Sequence, residues 1–451
     1  MKKYWIPIVA GLAVLIVVIG AGMVMVKKVH TQKIIPSAFA GLPQTLENLN
    51  AWYVEPPAGQ NAATYVLQGI KAMQIAGVEK IPDLPILGNA PPPPLSEPLS
   101  PEMKSALAAF LQRNHDALQS FSQGTAYDQS RYPIDLTKGP DTLLPHLPGV
   151  KRGLQMEEMA AILDSENNEG QRAAEDVLDG MGLAHSLEAE PVLISQLVRA
   201  AGVVLTTVAL EQVLNRTSVP SESLNKLSDA FQSMESYDTK GVGFNRAMAG
   251  EDAMDASLLK DPGSLRQLLG NFGGQDAEQD RKMIEYLNRT PSLKGEQDYL
   301  ETTFEELMSA RQETFPDRLK DVNDVMVTRT AGARSRGLLV NAMFWEGLQG
   351  ATIREARCLA NLRLAMTAIA LEQFRAAHGN QYPATLAELT PAYLTAAPQD
   401  PFDGQPLRYR KQASGYVLYS VGQDLKDNGG KPTPGGRGNI TFSVVSPPSQ
   451  Q

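Results

Sequence analysis

Apolar positions recur with a helical period along most of this chain, and with a period of two only near its end. From Tyr4 to Val26 the run is almost wholly apolar and carries no charge. At ~1.5 Å rise per residue it is long enough for the ~30 Å hydrocarbon core of a bilayer, which predicts a single transmembrane helix. Lys2 and Lys3 precede it, Lys27 and Lys28 follow it, and Tyr4 and Trp5 suit an interfacial aromatic anchor. A cleaved signal peptide is the competing reading, because Ala38-Phe39-Ala40 before Gly41 resembles a cleavage site. The apolar run exceeds the ~7–15 residues of a signal h-region, and that site lies far beyond its end, so an uncleaved anchor is preferred. Basic residues on both flanks leave the positive-inside comparison neutral. A short N-terminal tail before a long body gives N-in orientation in a bacterial inner membrane, with the body in the periplasm.

Behind the anchor the pattern reads helix after helix. A helix is predicted over 61–75, then a proline-rich stretch over 82–98 with four consecutive prolines from Pro91 to Pro94. That composition favours an extended, stiff spacer. Ser100-Pro101-Glu102 is a strong helix start: a hydroxyl cap, proline at the first helical position and an acid at the positive end. Further helical patterns cover 154–164, 170–188, 191–215, 221–235, 275–287 and 296–321, while strand signals are nearly absent. The 191–210 stretch is apolar enough to suggest a second span. Arg199 near its centre would cost ~2.5–3.5 kcal/mol in a bilayer, so it reads as a core helix. Residues 241–250 and 261–274 are glycine-rich and read as loops. Glu251, Asp252 and Asp255 do not fit an EF-hand spacing and read as an exposed acidic turn or helix start.

The last fifth has a different texture. One long helix is predicted over 350–377, with Cys358, Leu359, Leu362, Ala365, Met366 and Ile369 on one stripe, ending at Gly379-Asn380 before Pro383. Strands are predicted at 407–410, 416–420 and 440–445, the first two flanking Ala413-Ser414-Gly415 as a hairpin. The fold class is therefore mainly α: a transmembrane helix, an all-helical middle and a C-terminal α+β module. The expected divisions are an anchor at 1–30, a helical segment with linker at 31–99, a helical domain at 100–340, the α+β module at 341–445 and a tail at 446–451.

The order of features in that module is distinctive: the helix into His378-Gly379-Asn380-Gln381-Tyr382-Pro383, then Pro398-Gln399-Asp400-Pro401-Phe402-Asp403-Gly404, then Gly415-Tyr416-Val417-Leu418-Tyr419-Ser420, then an Asp/Asn/Gly loop. It resembles the globular domain of the major pseudopilin of type II secretion systems. The resemblance implies a helix laid on a small antiparallel sheet, an assembly role rather than catalysis, and calcium in the loop after the second strand. Asp424, Asp427 and Asn428 would be the ligands, hard oxygen donors of the kind calcium prefers. Leu425 stands where many relatives have glycine, and Asn439 where an aspartate often sits. The processing motif that opens true pseudopilins is absent, and the module helix is amphipathic, so the resemblance carries fold and the ion loop more than fibre formation.

Composition narrows the classes. The net charge of −9 argues against nucleic acid, whose phosphates need a basic surface. Cys358 is the only cysteine, which excludes an intrachain disulfide. The five histidines include no His-Glu-x-x-His, and no nucleotide loop or nucleophile elbow is present. Cys358 lies on an apolar helical stripe and reads as a core residue; His378 reads as a helix-end cap. Arg131-Tyr132-Pro133-Ile134-Asp135 and Leu144-Pro145-His146-Leu147 are distinctive without an assigned chemistry. Two functions follow. The first is a membrane-anchored, envelope-facing, non-catalytic protein with envelope protein partners, associated with a secretion or pilus-like assembly. The second is a periplasmic hydrolase or ligand-binding protein with its site in a helical groove.

Overall fold

The computed structural model describes residues 41–95, 97–261, 263, 265–267, 277–290, 292–348, 350–431 and 437–445. The chain divides into two compact units, Met1–Leu42 and Pro43–Gln451. The membrane span expected from Tyr4 to Val26 lies outside the described residues. The larger unit is mainly helical, with one small antiparallel sheet near its C-terminal end.

Its helices are α1 (Leu46–Trp52), α2 (Ala62–Ala72), α3 (Pro101–Arg113), α4 (His115–Gly124), α5 (Leu147–Glu166), α6 (Gly170–His185), α7 (Leu193–Arg216), α8 (Ser221–Thr239) and α9 (Val242–Lys260). They continue as α10 (Ala277–Arg289), α11 (Lys294–Ala310), α12 (Asp317–Ser335), α13 (Leu339–Leu348) and α14 (Ala351–Ala377). The strands are β1 (Arg408–Lys411), β2 (Tyr416–Ser420) and β3 (Ile440–Val444), ordered β1-β2-β3 with both pairings antiparallel. Ser100 caps α3 as its sequence promised, accepting from Met103 N–H at 3.1 Å with Pro101 following.

Helices α5, α6, α7, α8 and α14 pack around one another and form the centre of the body. Among the described residues one helix, α7, is long and apolar enough to cross a membrane. It is a core helix here: Leu210 and Val213 are fully buried, and Arg199 is buried against Asp238 of α8. Helices α11, α12 and α13 form a second packed group that reaches the centre through α9 and α14.

Four expectations change. Helix α14 buries far more than one stripe, including Glu355, Asn361, Leu364, Leu371 and Glu372. The reason is that α7 and α8 cover one flank while β2 and β3 cover another. Residues 242–250 are helical, not loop. Gly250 is there for packing: a Cβ on it would lie 1.9 Å from the carbonyl oxygen of Pro191. The 296–321 pattern is two helices: α11 ends at Ala310, and Pro316 stands at the N-cap of α12. Of 261–274, expected to be loop, residues 263 and 265–267 are helical, while 262, 264 and 268–274 lie outside the described residues.

The proline-rich stretch is a strap rather than a free spacer. Leu84 and Leu87 are buried, Gln212 donates to Pro93 O at 3.0 Å, and Arg216 donates to Pro94 O at 2.6 Å and Glu97 O at 3.0 Å. Prolines offer unopposed carbonyls, and the last turn of α7 supplies the donors.

Candidate functional site

A groove lies where α9, α11, α12 and the start of α14 meet the loop after β2. It is a half-open groove of about 750 Å³, within the range of small-molecule sites. Met248, Leu307, Val322, Met326 and Phe402 supply buried apolar wall, and Val327 and Leu425 form exposed lips at 56% and 58% exposure. Leu425 sits at φ 56°, in the left-handed region that disfavours any residue with a Cβ. Its side chain stands exposed on the lip of the groove.

The floor is charged. Arg311 accompanies the apolar wall, and its guanidinium donates to Asn245 Oδ1 at 2.5 Å and to both oxygens of Glu355 at 3.0 and 2.9 Å. Arg318 donates to the same carboxylate at 3.0 Å and to Thr239 O at 2.9 Å. Two guanidiniums therefore share one buried carboxylate. Next to them Arg199 is paired with Asp238, whose second oxygen accepts from the Cys358 thiol at 3.3 Å. Burial and the Asp238 carboxylate push that thiol well above its ordinary pKa, so Cys358 is an inert core group, as its helical position suggested.

The residues expected to hold calcium lie in the loop beside the groove, where they make local hydrogen bonds. Asp424 Oδ1 accepts from Lys426 N–H at 3.1 Å, and Asp427 Oδ1 accepts from Gly429 N–H and the Tyr419 hydroxyl, each at 2.9 Å. Asn428 donates its N–H to Asn439 Oδ1 at 3.1 Å. The Asn439 amide sits at the centre of the loop. It also accepts from Gly430 N–H and donates to the carbonyls of Val421 and Lys426, at 3.1 and 2.7 Å. An amide nitrogen thus draws together carbonyls that a cation would otherwise gather. Among the described residues no group of three His, Cys, Asp or Glu side chains is placed to hold a metal.

Other singled-out residues have structural partners. Glu251, Asp252 and Asp255 lie within α9, not at its start, and Glu251 accepts from the N–H of Leu193 at 2.8 Å, capping α7 from a neighbouring helix. His378 follows the last residue of α14, with Nδ1 2.8 Å from Phe374 O and its ring stacked on Phe374. The two unassigned motifs lie against each other: Tyr132 stacks on His146 at 4.0 Å, and His146 Nε2 is 3.1 Å from Glu190. Glu190 also accepts from Tyr53 and Ser195, all within the buried interior. Burial raises the pKa of Tyr53 and of Tyr132, keeping both phenols protonated. The serine and histidine here meet the carboxylate rather than each other, so the set ties segments together and is not a nucleophile with its base.

The groove escaped sequence reading because its walls come from segments more than a hundred residues apart. Only Leu425 stood out, as a leucine where glycine was expected. Comparison with protein-family models, with curated proteins and with solved structures gives no match.

Proposed function

We propose that this is a membrane-anchored, envelope-facing, non-catalytic binding protein whose site is the groove between the α11–α12 group and the pseudopilin-like C-terminal portion. The observation that carries this reading is the strained, exposed Leu425 on the lip of a 750 Å³ apolar groove. A large apolar side chain exposed beside an apolar groove is the kind of surface that a bound partner covers. The anchor rests on the uncharged run from Tyr4 to Val26. The pseudopilin-like portion is mounted rigidly, since α7 holds its β3 edge and α14 is common to body and sheet. In this role it supplies part of a binding wall, and association with a secretion or pilus-like assembly follows from the resemblance.

The test is photocrosslinking in intact cells, with benzophenone-alanine at Val327 and, as control, at Leu143, which is 81% exposed and does not line the groove. The expected outcome is a discrete photoproduct from Val327, recovered in carbonate-washed membranes, and none from Leu143. Equal products at both positions, or recovery of the protein in the soluble fraction, would refute the reading.

A further inference from the structure

A second apolar groove lies where the chain of the larger unit begins. Pro43 leads into α1, which packs on the turn at 136–141, and Asn50 Oδ1 accepts from the N–H of Leu136 at 3.1 Å. Leu46, in the first turn of α1, is so near that a Cβ on Gly139 would lie 3.1 Å from its Cδ1. Gly139 and Pro140 belong to one wall of a half-open groove of about 520 Å³. Its other walls include Leu144, Leu193, Leu197, Met254, Leu258 and Phe344.

The rim is apolar and outward. Ile194 lines the groove and is 49% exposed, and Leu143, between the lining residues Thr142 and Leu144, is 81% exposed. The loop that carries Leu143 is held at both ends. Thr142 Oγ1 donates to Gly139 O at 2.6 Å, and His146 stacks on Tyr132 and meets Glu190. No lysine or arginine lines the groove; its charged residues are Glu251 and Asp255. Glu251 accepts from Leu193 N–H, and burial raises the pKa of both carboxyls, Asp255 further through the neighbouring Glu251. A carboxyl that keeps its proton is far cheaper beside hydrocarbon than a carboxylate. In sequence, residues 27–42 alone separate the apolar run Tyr4–Val26 from Pro43, at most about 60 Å of chain. A face tethered that closely to a bilayer has lipid as its nearest and most concentrated apolar partner.

We propose that this face docks on the bilayer surface, with Leu143 and Ile194 inserted among lipid chains and an acyl chain in the groove between them and α9. This rests on the reading of the chain as membrane-anchored and adds a second contact, which fixes which face of the larger unit meets the membrane. The contact is with hydrocarbon, since the lining offers no cation to an anionic headgroup. A lipid adduct at Leu143 adds no protein mass, so a discrete protein photoproduct is still not expected there.

The experiment uses the full chain in phosphatidylcholine nanodiscs, one copy per disc. Cys358 is buried and its thiol is held protonated, so a cysteine placed on the surface is labelled selectively. The fluorophore NBD is attached at Leu143→Cys or, as control, at Val208→Cys, which is 36% exposed and about 21 Å farther along α7 than Ile194. Chain-brominated phosphatidylcholine, which quenches fluorophores in contact with hydrocarbon, is expected to quench at Leu143 severalfold more than at Val208. Ile194→Gln, at an exposed position, is expected to lower quenching at Leu143 severalfold without lowering the melting temperature. Adding phosphatidylserine is expected to change nothing, and quenching that requires it overturns the hydrocarbon contact. Equal or absent quenching at the two sites, in a chain that resists carbonate extraction, overturns the docking and leaves the anchor standing. A blue shift at Leu143 without quenching, seen only when two copies share a disc, assigns the face to self-association and overturns the docking. A chain that does not stay in the discs overturns the anchor, and the docking with it.

Discussion

Asn215, in the last turn of α7, donates its amide to the carbonyl of Ser443 on β3 at 2.8 Å and accepts from the N–H of Val445 at 2.8 Å. One turn earlier Glu211 accepts from the N–H of Ser443 at 2.6 Å. Two side chains four apart on a helix thus take the place of a fourth strand. An open sheet edge would be a template for unwanted pairing, and α7 closes this one.

Replacing Asn215 with leucine keeps the volume and leaves the Ser443 carbonyl and Val445 N–H without their partner. Each orphaned buried backbone group costs about 1–3 kcal/mol. Urea denaturation of Asn215→Leu should therefore show a midpoint clearly below wild type, with β3 more open to proteolysis. An unchanged midpoint would mean that the helix does not hold the sheet.

Buried and half-buried carboxyls set an unusual pH dependence. Burial pushes Glu158, Glu211 and Asp252 up to about 7 and Asp179 up to about 6. Their unfolded values are 4.5 for Glu and 3.8 for Asp, so between those values and about 7 the folded state binds more protons than the unfolded state. Unfolding free energy then falls as pH rises through this window. Carboxyls held low, such as Asp135 and Asp427, titrate below it. Calorimetry should give a higher melting temperature at pH 5 than at pH 8. Glu211→Gln keeps an acceptor for Ser443 and should narrow the difference. A melting temperature that climbs from pH 5 to pH 8 would contradict the burial of these groups.

What was legible in the sequence was local. The hairpin around Ser414-Gly415 placed β1 and β2 to within a residue, because alternation and turn chemistry act over short spans. The long helix was legible because Gly379-Asn380 and Pro383 stop it, and its arginines sit near partners such as Glu235. Long-range juxtaposition was not legible. Gly250 looked like a loop glycine, and only the carbonyl of Pro191 explains it. Nothing local to Glu355 shows that Arg311 and Arg318 converge on it, so the floor of the groove had no signature along the chain.

At the loop after β2, the Asn439 amide makes four hydrogen bonds that hold residues 421–430. Asn439→Ala should destabilise by about 1–3 kcal/mol, the cost of leaving buried groups unpaired. Chelator should leave the wild-type melting temperature unchanged, because the amide already gathers the carbonyls. Asn439→Asp places a third carboxylate beside Asp424 and Asp427 and removes the amide donor, which should create a calcium-dependent melting temperature. Wild-type protein that melts higher in calcium than in chelator would show instead that the loop takes the ion as it stands.

Leu425 separates stability from binding. At φ 56° a residue with a Cβ carries about 1–2 kcal/mol of strain, which glycine does not. Glycine costs about 0.5–1 kcal/mol in chain entropy, so Leu425→Gly should leave stability equal or slightly raised. The side chain removed is 58% exposed, so little buried area is lost in the free protein. In the liganded protein the same deletion takes away one lip of the groove. Labelling through the Val327 photocrosslinker should fall severalfold in a protein that melts no lower than wild type. Leu425→Ala keeps the strain and loses the lip, and should show the same loss of labelling with no gain in stability. A destabilised glycine variant with undiminished labelling would place the leucine's role in folding rather than in binding.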